Sequence, residues 1–407
     1  MMKKDVLFLC QFFYPEYNSS ATLPFDTARY LSQSGLSVAA LCGYPKEYCK
    51  KNDIPKREKV NDIDIKRIRY LQLQRVIKLG RLINYFSFTT AVFCHMSLMK
   101  NYKTLIVYSN PPVLPLAAVV ANKLYGTKIV FVSYDVYPDI ACATGSISQT
   151  SVIAKTMRWI NRRVFNGVDA VVALTDEMKK YLVENRANLS PDIVHVISNW
   201  AHEDVQPAIG FNSNDYGFKP TDFVVSYFGN MGVCQDIDTL LDAMDILRDH
   251  AGIKFFIAGH GCKKNRVIER TQGNKNVVFS DFLTDDAFKN ALAASSCGIV
   301  SLERGLGGMC APSKYYSYLQ AGLPVITVTD LCSYLAQEVD REKIGGAVAV
   351  GDGAALAKLI LNWAGDRDKV KLMSAHASKL YGSKYAKKIG IDKYKKLIME
   401  VIGAENE

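Results

Sequence analysis

Three glycine-rich runs and the lysines beside them are placed as an anion-binding site requires. Gly229-Asn230-Met231-Gly232 follows the apolar run Phe223–Phe228, and Gly259-His260-Gly261-Cys262-Lys263-Lys264 follows the run Lys254–Ala258. Gly305-Leu306-Gly307-Gly308 leads into a helical pattern at Ser313–Gln320. Glycine lets a backbone approach a ligand closely, and a helix that starts next offers free amides to an anion. Lys264, at a strand end, can project a cation at a phosphate. Lys314 lies in the first turn of its helix, with Pro312 near the start and Gly322 just past the end. The helix dipole disfavours a cation there, so a lysine is better explained by an anion sharing the site. Each run alone is also what an ordinary βα turn looks like; their repetition at successive strand ends is what points to a phosphate-bearing ligand.

Other chemistries lack their signatures. No GxGxxG with an acidic residue about twenty positions on is present, so a nicotinamide fingerprint is unsupported. Asp62-Ile63-Asp64 and Asp236-Ile237-Asp238 place two acids in three residues, a common pattern that reads as helix caps or solvated charge. The 10 cysteines are scattered with no CxxC pair, which argues against structural zinc and for a reducing cytoplasm. No metal and no cofactor are expected.

The elements that must position these residues alternate along the chain. Short apolar runs at Val6–Cys10, Val38–Leu41, Thr104–Tyr108, Ile129–Val132 and Ala170–Leu174 read as buried parallel strands, separated by helical patterns such as Leu23–Ser34 and Thr175–Asn185. The rhythm restarts with strands at Phe223–Phe228, Lys254–Ala258, Val277–Phe279, Gly298–Ser301 and Val325–Val328, and helices at Asp238–Asp249, Asp285–Ala294 and Ser313–Gln320. At 407 residues, 49% hydrophobic and 22% charged, the chain is too long for one core and too apolar for disorder. The expected fold is α/β: two doubly wound, Rossmann-like parallel-sheet domains facing a central cleft, with ligands at the strand ends. The boundaries read as a domain at 1–205, a turn-rich linker at 206–221, a second domain at 222–382, and a terminal helix at 383–407 packing back on the first.

Taken in order, the motifs resemble those of retaining glycosyltransferases of family 4, of GT-B fold, especially bacterial enzymes that build capsule, exopolysaccharide or O-antigen. The resemblance rests on Pro312-Ser313-Lys314, Tyr318-Leu319, Ala321-Gly322 and Pro324-Val325, on Tyr227–Gly232 with Asp238–Ala243, and on Ser198-Asn199-Trp200. Ser133–Pro138 and Ile344–Leu356 extend it over nearly the whole chain. It implies a nucleotide-diphosphate-sugar donor, UDP-linked by preference, with Gly232, Lys264 and Lys314 at the diphosphate and Ser313 adding a hydroxyl. Gly229, Asn230, Gly261, Cys310 and Ala311 complete the donor side, and Ser19 and Ser20 stand where the family carries a Gly-rich loop. Two departures stand out. The family's glutamate pair falls on Met309 and Ser317, and its catalytic-region histidine falls on Tyr134, which leaves Asp135 as the polar candidate beside Lys264 and Lys314. The alternatives are a sugar-nucleotide epimerase on the same fold and a catalytically degenerate binding partner.

The charge is uneven. Of a net +10, residues 1–205 carry +9 (26 Lys/Arg against 17 Asp/Glu). The segment Lys56–Arg81 concentrates it, with Arg67, Arg69, Arg75, Lys78 and Arg81 interleaved among apolar residues. That mixture suits attachment to an anionic membrane surface and a lipid-diphosphate-linked saccharide acceptor, at the cytoplasmic face. The competing reading is a charged strand followed by a packed helix. Nucleic acid is disfavoured, since no binding module accompanies the charge. Neither Leu82–Met99 nor Thr104–Asn122 is an unbroken apolar run of spanning length, and the Met1–Cys10 segment reads as a first strand, not a signal peptide.

Overall fold

A computed structural model describes residues 3–46, 48–49, 51–73, 78–201, 211–281, 283 and 285–403. The chain divides into two compact units: 1–199 with 308–311 and 388–407, and 200–307 with 312–387.

Unit 1 is built on eight strands, β1 (Lys4–Cys10), β2 (Val38–Gly43), β3 (Arg57–Val60), β4 (Ile63–Ile68), β5 (Tyr102–Tyr108), β6 (Lys128–Ser133), β7 (Ala170–Ala173) and β8 (Val194–Val196). Their order is β3-β4-β2-β1-β5-β6-β7-β8. Adjacent strands are parallel except β3 with β4. The central strands are apolar throughout because helices cover both faces; Val6 through Leu9 and Leu105 through Val107 are fully buried. Helices Ser19–Gln33, Pro115–Tyr125 and Val152–Phe165 fill the crossovers.

Unit 2 has six parallel strands, β9 (Phe223–Asn230), β10 (Ile253–His260), β11 (Val277–Ser280), β12 (Cys297–Ser301), β13 (Val325–Val328) and β14 (Gly345–Val348), ordered β11-β10-β9-β12-β13-β14. Strand β9 therefore sits at the point where the order reverses, and the carboxyl ends of such strands open a crevice. Both units are Rossmann-like, as the alternating pattern predicts.

One expectation needs correction. Lys56–Arg81 is not a continuous surface patch: it contains the β3–β4 hairpin, turned by Asn61 and Asp62 at φ of 49° and 61°. Arg67 is 3% exposed, and its guanidinium bonds the Tyr14 and Pro55 carbonyls and the Glu58 carboxylate. A buried arginine with three acceptors is structural cement, not a membrane contact. Arg69 is exposed beside the Tyr44 ring and Arg81 is half-buried, while Arg75 and the Lys78 side chain lie outside the described residues. Of the 206–221 segment, 206–210 also lies outside them, and Ser213–Tyr216 forms a short 3-10 turn. The uncharged stretches resolve into the helix Lys78–Phe93 and a β5–turn–helix unit. Among the described residues, no helix is long and apolar enough to cross a membrane.

Candidate functional site

In unit 2 the two glycine-bearing strand ends lie side by side. Gly229 and Gly259 are register partners at φ of 121° and 150°, and a Cβ on Gly259 would come 1.9 Å from the Gly229 carbonyl. Met231 N–H donates to the His260 carbonyl (2.7 Å), and Lys263 N–H donates to the Met231 carbonyl (2.9 Å). Gly261, at φ of 136°, packs where a Cβ would meet that same carbonyl at 2.4 Å. Only glycine permits this stitching, which forms a rigid backbone floor beyond β9 and β10.

The helix Lys314–Gln320 is fastened to the end of β9. Its Tyr318 hydroxyl accepts the Phe228 N–H (2.9 Å), fitting the space left by Gly298, where a Cβ would stand 2.4 Å from the ring. Its Tyr315 hydroxyl donates to Glu338 (2.6 Å). Ser313 stands at the N-cap, exposed and making no side-chain cap bond. This leaves Lys314 directed across the end of β9. Its Nζ lies 3.3 Å from the Tyr227 ring centroid, is covered from solvent, and has no hydrogen-bond partner. Its Cε stands 3.6 Å from where a Cβ on Gly229 would be. Burial pushes this lysine well below its ordinary pKa of 10.5.

The neighbouring cations are engaged. Lys264 pairs with Asp281, and Lys263 with Glu303 (2.5 Å) and the Gln235 carbonyl (2.6 Å). The Gly232 amide donates to the Gln235 side chain (3.0 Å), so an anion at Gly232 must displace that amide oxygen. Ser317 is half-buried on the same helix as Lys314. Of the two acid pairs, Asp236 accepts from the Thr239 amide (3.3 Å) and hydroxyl, Asp238 pairs with Arg266 (2.8 Å), Asp62 with Lys59 (3.0 Å) and Asp64 with Lys4 (2.6 Å). Among the described residues, no group of acids, histidines and cysteines is arranged to hold a metal.

Unit 1 gathers the other candidates at the ends of its strands. Asp135 follows β6; its amide and that of Tyr134 both donate to the Ser109 hydroxyl (3.1 and 3.0 Å). Residues 308–311 run beside it: Asp135 bridges Cys310 in antiparallel fashion, and Val136 N–H donates to the Met309 carbonyl (2.8 Å). Met309 and Ala311 pack their side chains on the unit 1 core, so what they offer a ligand is backbone. Asp135 lines a small cavity with Ser109, Tyr137, Asn161, Phe165 and Arg186. Burial raises its carboxyl to about 6. Arg186 pairs with Asp139 and retains a buried Nε without a partner. Ser19 and Ser20 open the helix after β1, behind Asn18, whose buried Oδ1 is likewise unpartnered. Ser109, Asn161 and Arg186 come from three distant segments and carry no motif that sequence reasoning could seize.

Residues 25–200 match the family described as the glycosyl transferase 4-like domain. Among curated proteins, the chain is 27% identical over 262 residues to the probable glycosyltransferase WbjE of Pseudomonas aeruginosa, covering 62% of this chain and 64% of that protein. It is 24% identical over 271 residues to the putative colanic acid biosynthesis glycosyl transferase WcaI of Escherichia coli (strain K12), covering 64% and 66%. Both matches thus span slightly less than two thirds of the relative. Among solved structures, sucrose-phosphate synthase from Thermosynechococcus elongatus superposes with a TM-score of 0.77 at 12% identity, over 99% of this chain and 100% of that one. Anabaena HepE in complex with UDP-glucose superposes at 0.66 and 14%, over 99% and 100%. These structures share the GT-B fold with this chain.

Proposed function

We propose that this chain, whose residues 25–200 match the glycosyl transferase 4-like domain and which has the GT-B fold, is a retaining glycosyltransferase of bacterial surface-polysaccharide synthesis. Its donor is a nucleotide-diphosphate sugar, UDP-linked by preference, carrying a hexosyl or N-acetylhexosaminyl group, and its acceptor is a lipid-diphosphate-linked saccharide. The observation that carries the reading is the covered, unpartnered Lys314 ammonium at the end of β9. A buried amine without an acceptor is costly unless an anion completes it. A diphosphate supplies that anion, and the backbone floor at Gly229–Gly232 lets it approach. The names of the relatives support the pathway class, and the UDP-glucose bound by HepE supports the donor class.

Chemically, departure of the sugar leaves charge on the nucleoside diphosphate. Lys314 and the amides before it stabilise that charge as it forms, with Lys264 recruited from Asp281 and the Ser313 hydroxyl adding a donor. Such neutralisation needs no metal. Asp135, whose raised pKa suits proton exchange near neutrality, is the polar group for the acceptor side. The test is to incubate the protein with UDP-, GDP- and dTDP-sugars, with and without lipid-extracted acceptor, with a chelator present. A longer saccharide with the donor's anomeric configuration supports the proposal. Epimerised donor in the absence of acceptor would sink it.

A further inference from the structure

The helix Val152–Phe165 in unit 1 has a solvent face that packing does not explain. Its sequence holds Lys155, Arg158, Arg162 and Arg163 and no acidic residue. Ala154, Ile160, Val164 and Phe165 form the buried side, the last three within the unit 1 core. The opposite side carries Val152, 79% exposed, and Trp159, 53% exposed, while Ile153, 43% exposed, falls on the inner side at the helix start. Val152, Trp159 and Arg163 stand at i, i+7 and i+11, within roughly 40° of one another at about 100° per residue. Lys155 and Arg163 flank Trp159 at i−4 and i+4, and the Arg163 guanidinium lies 3.8 Å from the indole centroid. An exposed Trp and Val on one face, ringed by cations, mark a contact surface.

We propose that this face docks the protein on an anionic lipid bilayer. The chemistry matches on both counts. Indole prefers the headgroup boundary, where its ring is in apolar surroundings and its N–H in polar ones. Four cations unopposed by acid on the same helix are attracted to an anionic leaflet. A second copy of the same face would set four cations against four, which charge opposes. The surface assigned is thus not the Lys56–Arg81 segment, where Arg67 is consumed by the fold. The inner side of this helix supplies Asn161 and Phe165 to the Asp135 cavity, with Asn161 donating to the Tyr137 carbonyl. Docking therefore holds that cavity about 10 Å, one helix diameter, from the lipid surface from which a lipid-linked acceptor is drawn. This last link rests on the transferase reading; the docking itself does not.

Sedimentation of the full chain with vesicles of about one-third phosphatidylglycerol in phosphatidylcholine, against phosphatidylcholine alone, tests it. Trp200 and Trp363 are buried, so a blue shift of tryptophan emission on vesicle addition reports Trp159. Wild type is expected to bind the anionic vesicles with that blue shift. Replacing Lys155, Arg158, Arg162 and Arg163 by Gln should weaken binding about 10²- to 10³-fold, and Trp159→Ser should weaken it several-fold. Circular dichroism identifies any variant that fails to fold, and the milder Trp159→Phe, which keeps the apolar ring, should restore most of the binding. Three outcomes overturn the proposal: no wild-type binding, variants that bind like wild type, or a blue shift that follows protein concentration without lipid. Loss of binding in Arg69→Gln/Arg81→Gln alone would also overturn it by moving the surface elsewhere. Vesicle binding is read without donor or acceptor, so a failure of sugar transfer is scored separately.

Discussion

The Lys314 ammonium stands 3.3 Å from the centroid of the Tyr227 ring and makes no hydrogen bond among the described residues. A ring face gives a cation some compensation for lost water, but less than an anion does. The folded lysine therefore releases its proton far below 10.5, while the unfolded one keeps it. The unfolded state binds more protons in that window, so this group makes stability rise with pH up to about 10.5. Below the folded pKa the cost is present in full. Lys314→Met removes it: the unliganded variant should melt at the same temperature as wild type or higher. Its affinity for UDP should fall about 10- to 100-fold, the scale of one charge-assisted hydrogen bond. Thermal melts with and without UDP read both quantities. A variant that melts lower yet keeps its UDP shift would show that the lysine serves the fold alone.

The glycine floor separates strain from collision. At Gly229, φ is 121° and an added Cβ meets only Lys314 Cε at 3.6 Å, an ordinary contact. Gly229→Ala should thus cost only conformational strain, about 1–3 kcal/mol. At Gly261 the same unfavourable φ is joined by a 2.4 Å approach to the Met231 carbonyl. Gly261→Ala must break the Lys263–Met231 backbone bond or move β10, and should lose more stability and all measurable UDP binding. Urea titrations of the two variants, in which Gly229→Ala proved the weaker, would contradict this geometry.

What could be read from the sequence divides along the range of the interactions. The floor and Lys314 are local: glycines at strand ends and a lysine in a first turn declare themselves within a few residues. The β3–β4 hairpin was harder, because Lys59, Lys66 and Arg67 masked the buried Ile63 and Ile65 that alternate through it. The signal available was Asn61-Asp62, two residues tolerant of positive φ between those runs. The surroundings of Asp135 were beyond reach, since Ser109, Asn161 and Arg186 meet it only after three crossovers fold. Trp159 was equally hidden, because apolar periodicity marks a helix without saying which side the sheet will cover.

Glu338 ties the Lys314 helix to the rest of unit 2. It is fully buried and accepts from Tyr315 (2.6 Å), Tyr334 (2.6 Å), Lys384 (2.7 Å) and Tyr385 (2.7 Å). Burial pushes its carboxyl up, but these donors outweigh burial and hold it below 4.5. A carboxylate with a depressed folded pKa contributes stability above about pH 4.5 that is lost as pH falls through the folded value. Glu338→Ala leaves Lys384 and three hydroxyls without their acceptor, and should cost about 3–5 kcal/mol. Glu338→Gln should cost less and flatten the acid limb of the stability curve. Since Tyr315 adjoins Lys314, both variants should also weaken UDP binding. Denaturation between pH 3 and 7 measures the limb, and a Gln variant that keeps it in full would place the titration elsewhere.

Asp135 behaves in the opposite sense. Its carboxyl is raised to about 6 because burial disfavours the ion. The folded state therefore holds this proton more tightly than the unfolded one. Stability from this group is fully present below its ordinary value near 3.8 and is lost as pH rises through about 6. Asp135→Asn removes the ionisable group while keeping the shape, so it should melt with wild type at pH 4 and above it at pH 8. If the carboxylate exchanges a proton with the acceptor hydroxyl, transfer by wild type should rise with pH to a plateau with a midpoint near 6. The Asn variant should lose about 10²- to 10⁴-fold in rate and lose that midpoint. The two readouts separate the roles: a burial cost alone shifts the melts and leaves the rate profile in place. Greater stability at pH 8 gained together with a rate lost at every pH is the pattern of a group kept ionisable for chemistry at the expense of the fold.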